Sequence, residues 1–389
     1  MTPFHVAWTQ AQIDSLRKRL SDSPIADPPY GGGWSLGCDS DFLRRFRDYW
    51  IDGYDWRAAM DLLNRYPQFI AEIDGLPIHF VHVKGEGDGG DRPLILTHGW
   101  PGSQIEFWGV IDKLAFPSRH GGKAAEAFDL VIPSLPGYGF SGKPSQPTGP
   151  RATAALWNTL MTERLGYSSY LAQGGDWGSI VTGKLGLHHA DTVRGIHLNM
   201  ASLMSQAPMQ TDAEMEWAQR LSLAAQVLSG YSTVQMHRPM SLVHLSMNNP
   251  LGQAAWILER FHDWADLSRG EIESVFDLDH LITNVMLYVM TDSFASSIMY
   301  YNGFVSEGQF ALPAGLKCET PLGIAAFPGD ALFPVPPRSR VELVAANLMH
   351  WSDMPRGGHF AAMEEPDLFA ADVLDWGAKV SPVRGGADL

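Results

Sequence analysis

Short apolar runs separated by loops rich in glycine and proline mark out the middle and the end of this chain. Residues 78–83, 94–97, 129–132, 170–173, 196–199, 322–327 and 349–351 each read as a short buried strand. Helical stretches such as 177–189 lie between them, and that alternation predicts an α/β chain with a mostly parallel sheet covered on both faces. Before about residue 75 the pattern is one of helices and turns, with an amphipathic segment at 8–20 and a proline- and glycine-rich stretch at 24–33. This N-terminal part is expected to wrap the core instead of folding alone. From 201 to 305 the strand signals stop and helical periodicity takes over. The expected layout is a helical N-terminal segment (1–75), an α/β core in two pieces (76–200 and 306–389) and a helical cap inserted between them (201–305). The tail at 384–389 reads as frayed.

The chemistry gathers where strands end. Gly174-Gly175-Asp176-Trp177-Gly178 joins the strand at 170–173 to the following helix. A tight strand-to-helix turn needs small neighbours, which Gly174 and Gly178 supply, and it aims the Asp176 side chain outward with the N–H of Trp177 at a helix N-terminus. An ordinary helix-capping Asp is the alternative reading of the pentapeptide taken alone. A second loop, His98-Gly99-Trp100-Pro101-Gly102-Ser103, follows the strand at 94–97 and offers the N–H of Trp100 as a partner donor for developing negative charge. The side chain of His98 is expected to fix this loop together with Gly99 and Pro101, and the Trp100–Pro101 bond is a candidate for cis.

Further along, Asp330 stands just past the strand at 322–327, and His359 follows the strand at 349–351 through a loop bearing Gly357 and Gly358. The order nucleophile, acid, histidine is that of α/β-hydrolases. His359 is the expected general base and Asp330 the group that orients it, with Asp353, Glu364 and Glu365 as rivals for the acid. His188 and His189 lie near a helix end and read as a cap or a solvated face. A carboxylate nucleophile with a reference pKa of about 3.9 is ionised at neutral pH. It suits displacement at an sp³ carbon, giving an alkyl ester that water must then cleave. Epoxides and alkyl halides are the two substrate classes this admits: an epoxide oxygen needs O–H donors, a halide weak N–H donors.

The motifs HGWPGS (98–103), GGDWGS (174–179) and RGGHFAAMEEP (356–366) together resemble the microsomal type of epoxide hydrolase, which includes insect juvenile hormone epoxide hydrolases and soluble bacterial relatives. The resemblance spans nearly the whole chain. It includes Trp8, Thr9, Leu16, Arg19, Leu20, Trp50 and Tyr54 to Arg57 near the start, and Ser229 to Tyr231, Asn249 to Ile257 and Ser296 to Tyr301 in the cap. It implies an α/β-hydrolase fold and cofactor-independent conversion of a bulky, largely apolar epoxide to a vicinal diol. In that scheme Asp176 attacks a ring carbon, Tyr231 and Tyr301 hydrogen-bond and protonate the epoxide oxygen, and His359 with Asp330 drives ester hydrolysis. Tyr300, next to Tyr301, is the competing choice for the second donor. Haloalkane dehalogenation is the alternative function, sharing Asp176 and His359 but not needing the tyrosines, and a silent ligand-binding relative is a third. Two departures stand out: Asp330 occupies a position where many members carry Glu, and Met1 to His5 lead into the 8–20 segment without the membrane anchor of animal members.

Composition narrows the partners. A net charge of −15 argues against nucleic acid and anionic membranes, and there is no apolar run of about 18 residues, so a cytoplasmic protein is expected. The two cysteines, Cys38 and Cys318, make no disulfide framework, and no histidine or carboxylate spacing suggests a metal. A small-molecule epoxide and water are the expected partners, and a homo-oligomer is left open. Nine of the sixteen methionines fall between 201 and 305, where most are expected to fill the core of the cap.

Overall fold

Strands form where the apolar runs lie, and they join into one sheet. The computed structural model of the chain describes residues 1–87, 92–308 and 311–381, so the tail expected to fray lies outside the described residues. Its strands are β1 (Thr2–Phe4), β2 (Gln68–Ile73), β3 (Leu76–Val83), β4 (Pro93–Thr97), β5 (Asp129–Pro133), β6 (Tyr170–Gly174), β7 (Val193–Leu198), β8 (Leu322–Ala326) and β9 (Leu348–Asp353). They are ordered β1-β2-β3-β5-β4-β6-β7-β8-β9. The β1-β2-β3-β5 end is antiparallel and every other pairing is parallel. β4, β5, β6 and β8 are buried along their whole length, as strands covered on both faces must be. This is the expected α/β-hydrolase architecture.

The N-terminal segment departs from the helices and turns expected before residue 75. It is helical over Gln10–Asp22, Ser40–Asp52 and Trp56–Leu63, but β1 and β2 add two antiparallel strands to the sheet edge. β2 is closed onto β3 by Asp74 (φ 51°) and Gly75 (φ 77°), a two-residue Asp-Gly turn whose left-handed backbone matches the twist of a hairpin. β1 has three residues and is defined by pairing with β2 rather than by any local pattern. The helix Gln10–Asp22 starts on a reciprocal cap between Thr9 and Gln12 and buries Ile13, Leu16 and Leu20. It packs beside the helix Pro250–Trp264, and the Tyr54 hydroxyl meets Thr283 at 2.9 Å, so the N-terminal segment grips the helical region between β7 and β8.

Among the described residues that region holds six longer helices: Asp212–Leu228, Gly230–His237, Pro239–Ser246, Pro250–Trp264, Leu278–Met290 and Phe294–Glu307. The last three bury apolar faces carrying Ile257, Leu258, Phe261, Leu281, Val285 and Ile298. The first three turn much of theirs outward, with Val227 and Leu245 among the exposed residues. This overturns the expectation for the methionines. Of the nine, Met286 alone is fully buried, while Met209, Met215, Met240 and Met247 are exposed, because they sit in the outer part that packs on one side only. Among the described residues no helix is long and apolar enough to cross a membrane, and both cysteines are free.

Candidate active site

Close packing at the crossing of β4, β6 and the helix Trp177–His188 explains the glycines. A Cβ on Gly178 would stand 1.8 Å from the Thr97 carbonyl oxygen, and one on Gly174 would stand 2.1 Å from that of Gly178. Asp176, between them, is held at φ 48° and ψ −126°, a left-handed conformation that costs a non-glycine residue about 1–3 kcal/mol. Strain of this kind turns the carboxylate out of the sheet toward the loop after β4. Gly99 in that loop lies so near that a Cβ there would meet Asp176 Oδ1 at 2.2 Å.

The two carboxylate oxygens of Asp176 have different surroundings. Oδ1 accepts the Trp100 N–H at 2.8 Å, whereas Oδ2 lies 3.3 Å from His359 Nε2. The Trp100–Pro101 bond is cis, and Trp177 is the first residue of the helix behind Asp176. His359 Nδ1 lies 2.9 Å from Asp330 Oδ2, and Asp330 Oδ1 accepts the N–H groups of Leu332 and Phe333 at 3.0 and 2.9 Å, fixing the acid in turn. Burial opposes a charge on His359, yet the Asp330 and Asp176 carboxylates outweigh it and hold its pKa well above the ordinary histidine value. The three rivals for the acid are engaged elsewhere. Glu364 accepts the N–H groups of Asp266, Gly358 and Phe360 and so shapes the His359 loop, Glu365 pairs with Arg269 and Arg356, and Asp353 accepts from the Trp351 indole. The Asp330 carboxylate reaches the histidine without the extra methylene of a Glu.

Tyr231 and Tyr301 arrive from two helices of the region between β7 and β8 and meet over Trp100. Tyr231 stacks on the Trp100 ring at 5.3 Å, Tyr301 stands edge-on to it at 5.8 Å, and the two tyrosine rings are 5.9 Å apart. Burial, above all, pushes both phenol pKa values up, so both carry their protons. Tyr300 faces the other way and shares a 2.8 Å hydrogen bond with Thr153 in the helix Pro150–Thr159. Trp177 lies 4.6 Å from Tyr301, and Trp264 lies 5.1 Å from Tyr231 and 5.0 Å from His359, so aromatic rings link the tyrosines to the Asp176 turn and to His359. His98 Nε2 accepts the Leu135 N–H at 3.1 Å, leaving Nδ1 to donate to the Gly99 carbonyl at 3.0 Å. Burial draws its pKa down to about 4, so it stays neutral.

Several contributors were not singled out from the sequence. Asn284 and Tyr288, one turn apart on the helix Leu278–Met290, bind the carbonyls of Pro101 and Gly102 at 2.8 and 2.5 Å, and Ser103 donates to Asn284. Two polar groups four residues apart on a buried helix face were the available signal. The Arg260 guanidinium lies 5.1 Å from the Tyr231 ring centre and is 4% exposed, a cation held against the aromatic cluster. Glu106 lies one turn beyond the loop after β4 and faces Asp176. For a metal, one buried group among the described residues has suitable side chains: His197, His350 and Asp372. Each histidine Nε2 is 2.8 Å from an Asp372 oxygen, a hydrogen-bonding distance, so this group pins the helix Pro366–Val380 to β7 and β9.

Known proteins resemble this chain over nearly its whole length. The family described as "Epoxide hydrolase N terminus" matches residues 1–107, and that described as "alpha/beta hydrolase fold" matches residues 92–233. A protein of Stigmatella aurantiaca provisionally named an epoxide hydrolase is 40% identical over 96% of this chain and 84% of its own. Epoxide hydrolase 1 of Oryctolagus cuniculus is 34% identical over 95% of this chain and 87% of its own. The crystal structure of juvenile hormone epoxide hydrolase from the silkworm Bombyx mori superposes with a TM-score of 0.86 at 30% identity, covering 97% of this chain and 94% of that one. The chain belongs to the epoxide hydrolase family within the α/β-hydrolase superfamily.

Proposed function

We propose that the chain opens a bulky, largely apolar epoxide through a covalent ester on Asp176 and releases a vicinal diol. The observation that carries this reading is the division of labour within the Asp176 carboxylate. Oδ1 is held by the Trp100 N–H while Oδ2 faces the base, which leaves Oδ2 to attack carbon and Oδ1 to take the negative charge when the ester is later hydrolysed. The helices between β7 and β8 act as a cap that brings Tyr231 and Tyr301 to the epoxide oxygen, and the surrounding indole rings favour an apolar substrate.

The charges then run in sequence. Attack by Oδ2 breaks the ring C–O bond, and the alkoxide takes a proton from a tyrosine. Esterification removes the Asp176 charge, which had helped hold a proton on His359, so the imidazole pKa falls. The proton it sheds restores the tyrosine. Neutral His359, oriented by Asp330, takes a proton from water as the hydroxide attacks the Asp176 carbonyl carbon; the diol departs with that proton on its oxygen, and the second water proton passes from the new Asp176 acid to His359, which returns the carboxylate and the imidazolium.

The tyrosine roles predict a contrast between neighbours. Tyr231→Phe and Tyr301→Phe each slow ester formation, and the double variant loses about 10²–10⁴-fold, the usual range for a general acid. Tyr300→Phe, which loses only the Thr153 hydrogen bond, keeps its alkylation rate. Stopped-flow tryptophan fluorescence in a single turnover measures the step directly; equal losses at positions 300 and 301 would contradict the assignment.

A further inference from the structure

We propose that the Glu106 carboxyl positions the water that hydrolyses the Asp176 ester, in a small cavity it shares with Asp176 and His359; this rests on the ester mechanism above. The cavity measures about 10 Å³, the scale of one water molecule, and Gly99, Glu106, Gly175, Asp176, Asn199 and His359 are among its walls. Trp100, Phe107, Phe360 and Phe369 also line it, whereas Tyr231, Tyr301, Trp177 and Trp264 do not. An alkyl group attached on the side of the two tyrosines therefore leaves this side of the ester carbonyl accessible to water, with the base in the same wall.

Glu106 is built for such a place. It stands in the short turn Gln104–Phe107, and a Cβ on Gly102 would fall 1.6 Å from its Oε1, so the loop leaves space there that only glycine provides. The backbone of Gly99 and Ser103 bonds to this carboxyl, but no cation among the described residues forms an ion pair with it, and a charge taken out of water without one is costly. Burial first, and the Asp176 charge second, push its pKa up to about 8, so in the free enzyme it carries a proton at neutral pH; esterification removes the second cause and leaves the larger one, burial. A protonated carboxyl both donates and accepts, as a water held between two groups requires. Glu106 keeps its own proton through the step: one water proton goes to His359 Nε2, the oxygen bonds to the Asp176 carbonyl carbon, and the carboxyl only orients the molecule.

The test separates the two half-reactions in single turnovers with styrene oxide, followed by intact-protein mass for the ester. Glu106→Leu is expected to form the ester at the wild-type rate but to hydrolyse it about 10–100-fold more slowly, the scale of losing a positioning group. Glu106→Gln, which still donates and accepts, should restore most of the loss, a rescue that a space-filling role would not show. Unchanged hydrolysis in Glu106→Leu, a parallel drop in both steps, or a Gln variant as slow as Leu would overturn the proposal. An ester seen in the wild type with normal hydrolysis in Glu106→Leu removes only the water site. No ester in the wild type or in His359→Gln removes the mechanism beneath it as well.

Discussion

Asp176→Ala should abolish diol formation, by about 10⁶-fold as for removal of other covalent nucleophiles, while the protein stays folded. The reason lies in the geometry: among the described residues no second carboxylate takes the place between the Trp100 N–H and His359, since Asp330 is committed to the far nitrogen of the imidazole and Glu106 stands in the wall of the small cavity. Folding should survive because Asp176 is a point of backbone strain and not a core side chain, and because the crossing that forms the turn depends on Gly174 and Gly178. Far-ultraviolet circular dichroism and diol formation measured on the same preparation check both halves of the statement.

His359→Gln should behave differently. Ester formation needs only an ionised Asp176 and the two phenols, so the variant should consume about one equivalent of epoxide and then stall, with steady-state turnover down about 10²–10⁴-fold. Stoichiometric alkylated enzyme, seen as a mass increase equal to the epoxide, is the expected signature. The wild type gives the matching pH dependence. Asp330 and Asp176 raise the pKa of His359 against the opposing effect of burial, and only the unprotonated imidazole can take a proton from water. Hydrolysis of the ester should therefore rise with pH and level off. Its midpoint should lie below the histidine pKa of the free enzyme, because the ester has lost the Asp176 charge. A midpoint higher in the ester than in the free enzyme would contradict this coupling.

How much of this was visible in the chain depends on how local each feature is. The Asp176 turn, the Trp100 loop, Asp330 and His359 all sit at the ends of short apolar strands, and local pattern marks those ends. The choice of Asp330 over Glu364 and Glu365 rests on chain order in the sequence and on a 2.9 Å contact in the structure. β2 was missed although Asp74-Gly75 signals a hairpin, and β1 could not be read because three residues carry no period. Tyr231 and Tyr301 came from resemblance alone; nothing local separates Tyr301 from Tyr300 until one is seen facing Trp100 and the other Thr153. Arg260, Asn284, Tyr288 and Glu106 act through tertiary neighbours distant in sequence, and a single chain without its fold gives no reason to place them together.

The most direct test is one turnover of an excess of enzyme on styrene oxide in ¹⁸O-water, with mass spectrometry of the diol and of the peptide containing Asp176. The account predicts an unlabelled diol from that first turnover and ¹⁸O in the Asp176 carboxylate, since the diol oxygen comes from the aspartate and water repays it through the carbonyl carbon. A first-turnover diol carrying ¹⁸O, with Asp176 unlabelled, would mean that water attacks the epoxide directly and would remove the ester from the mechanism.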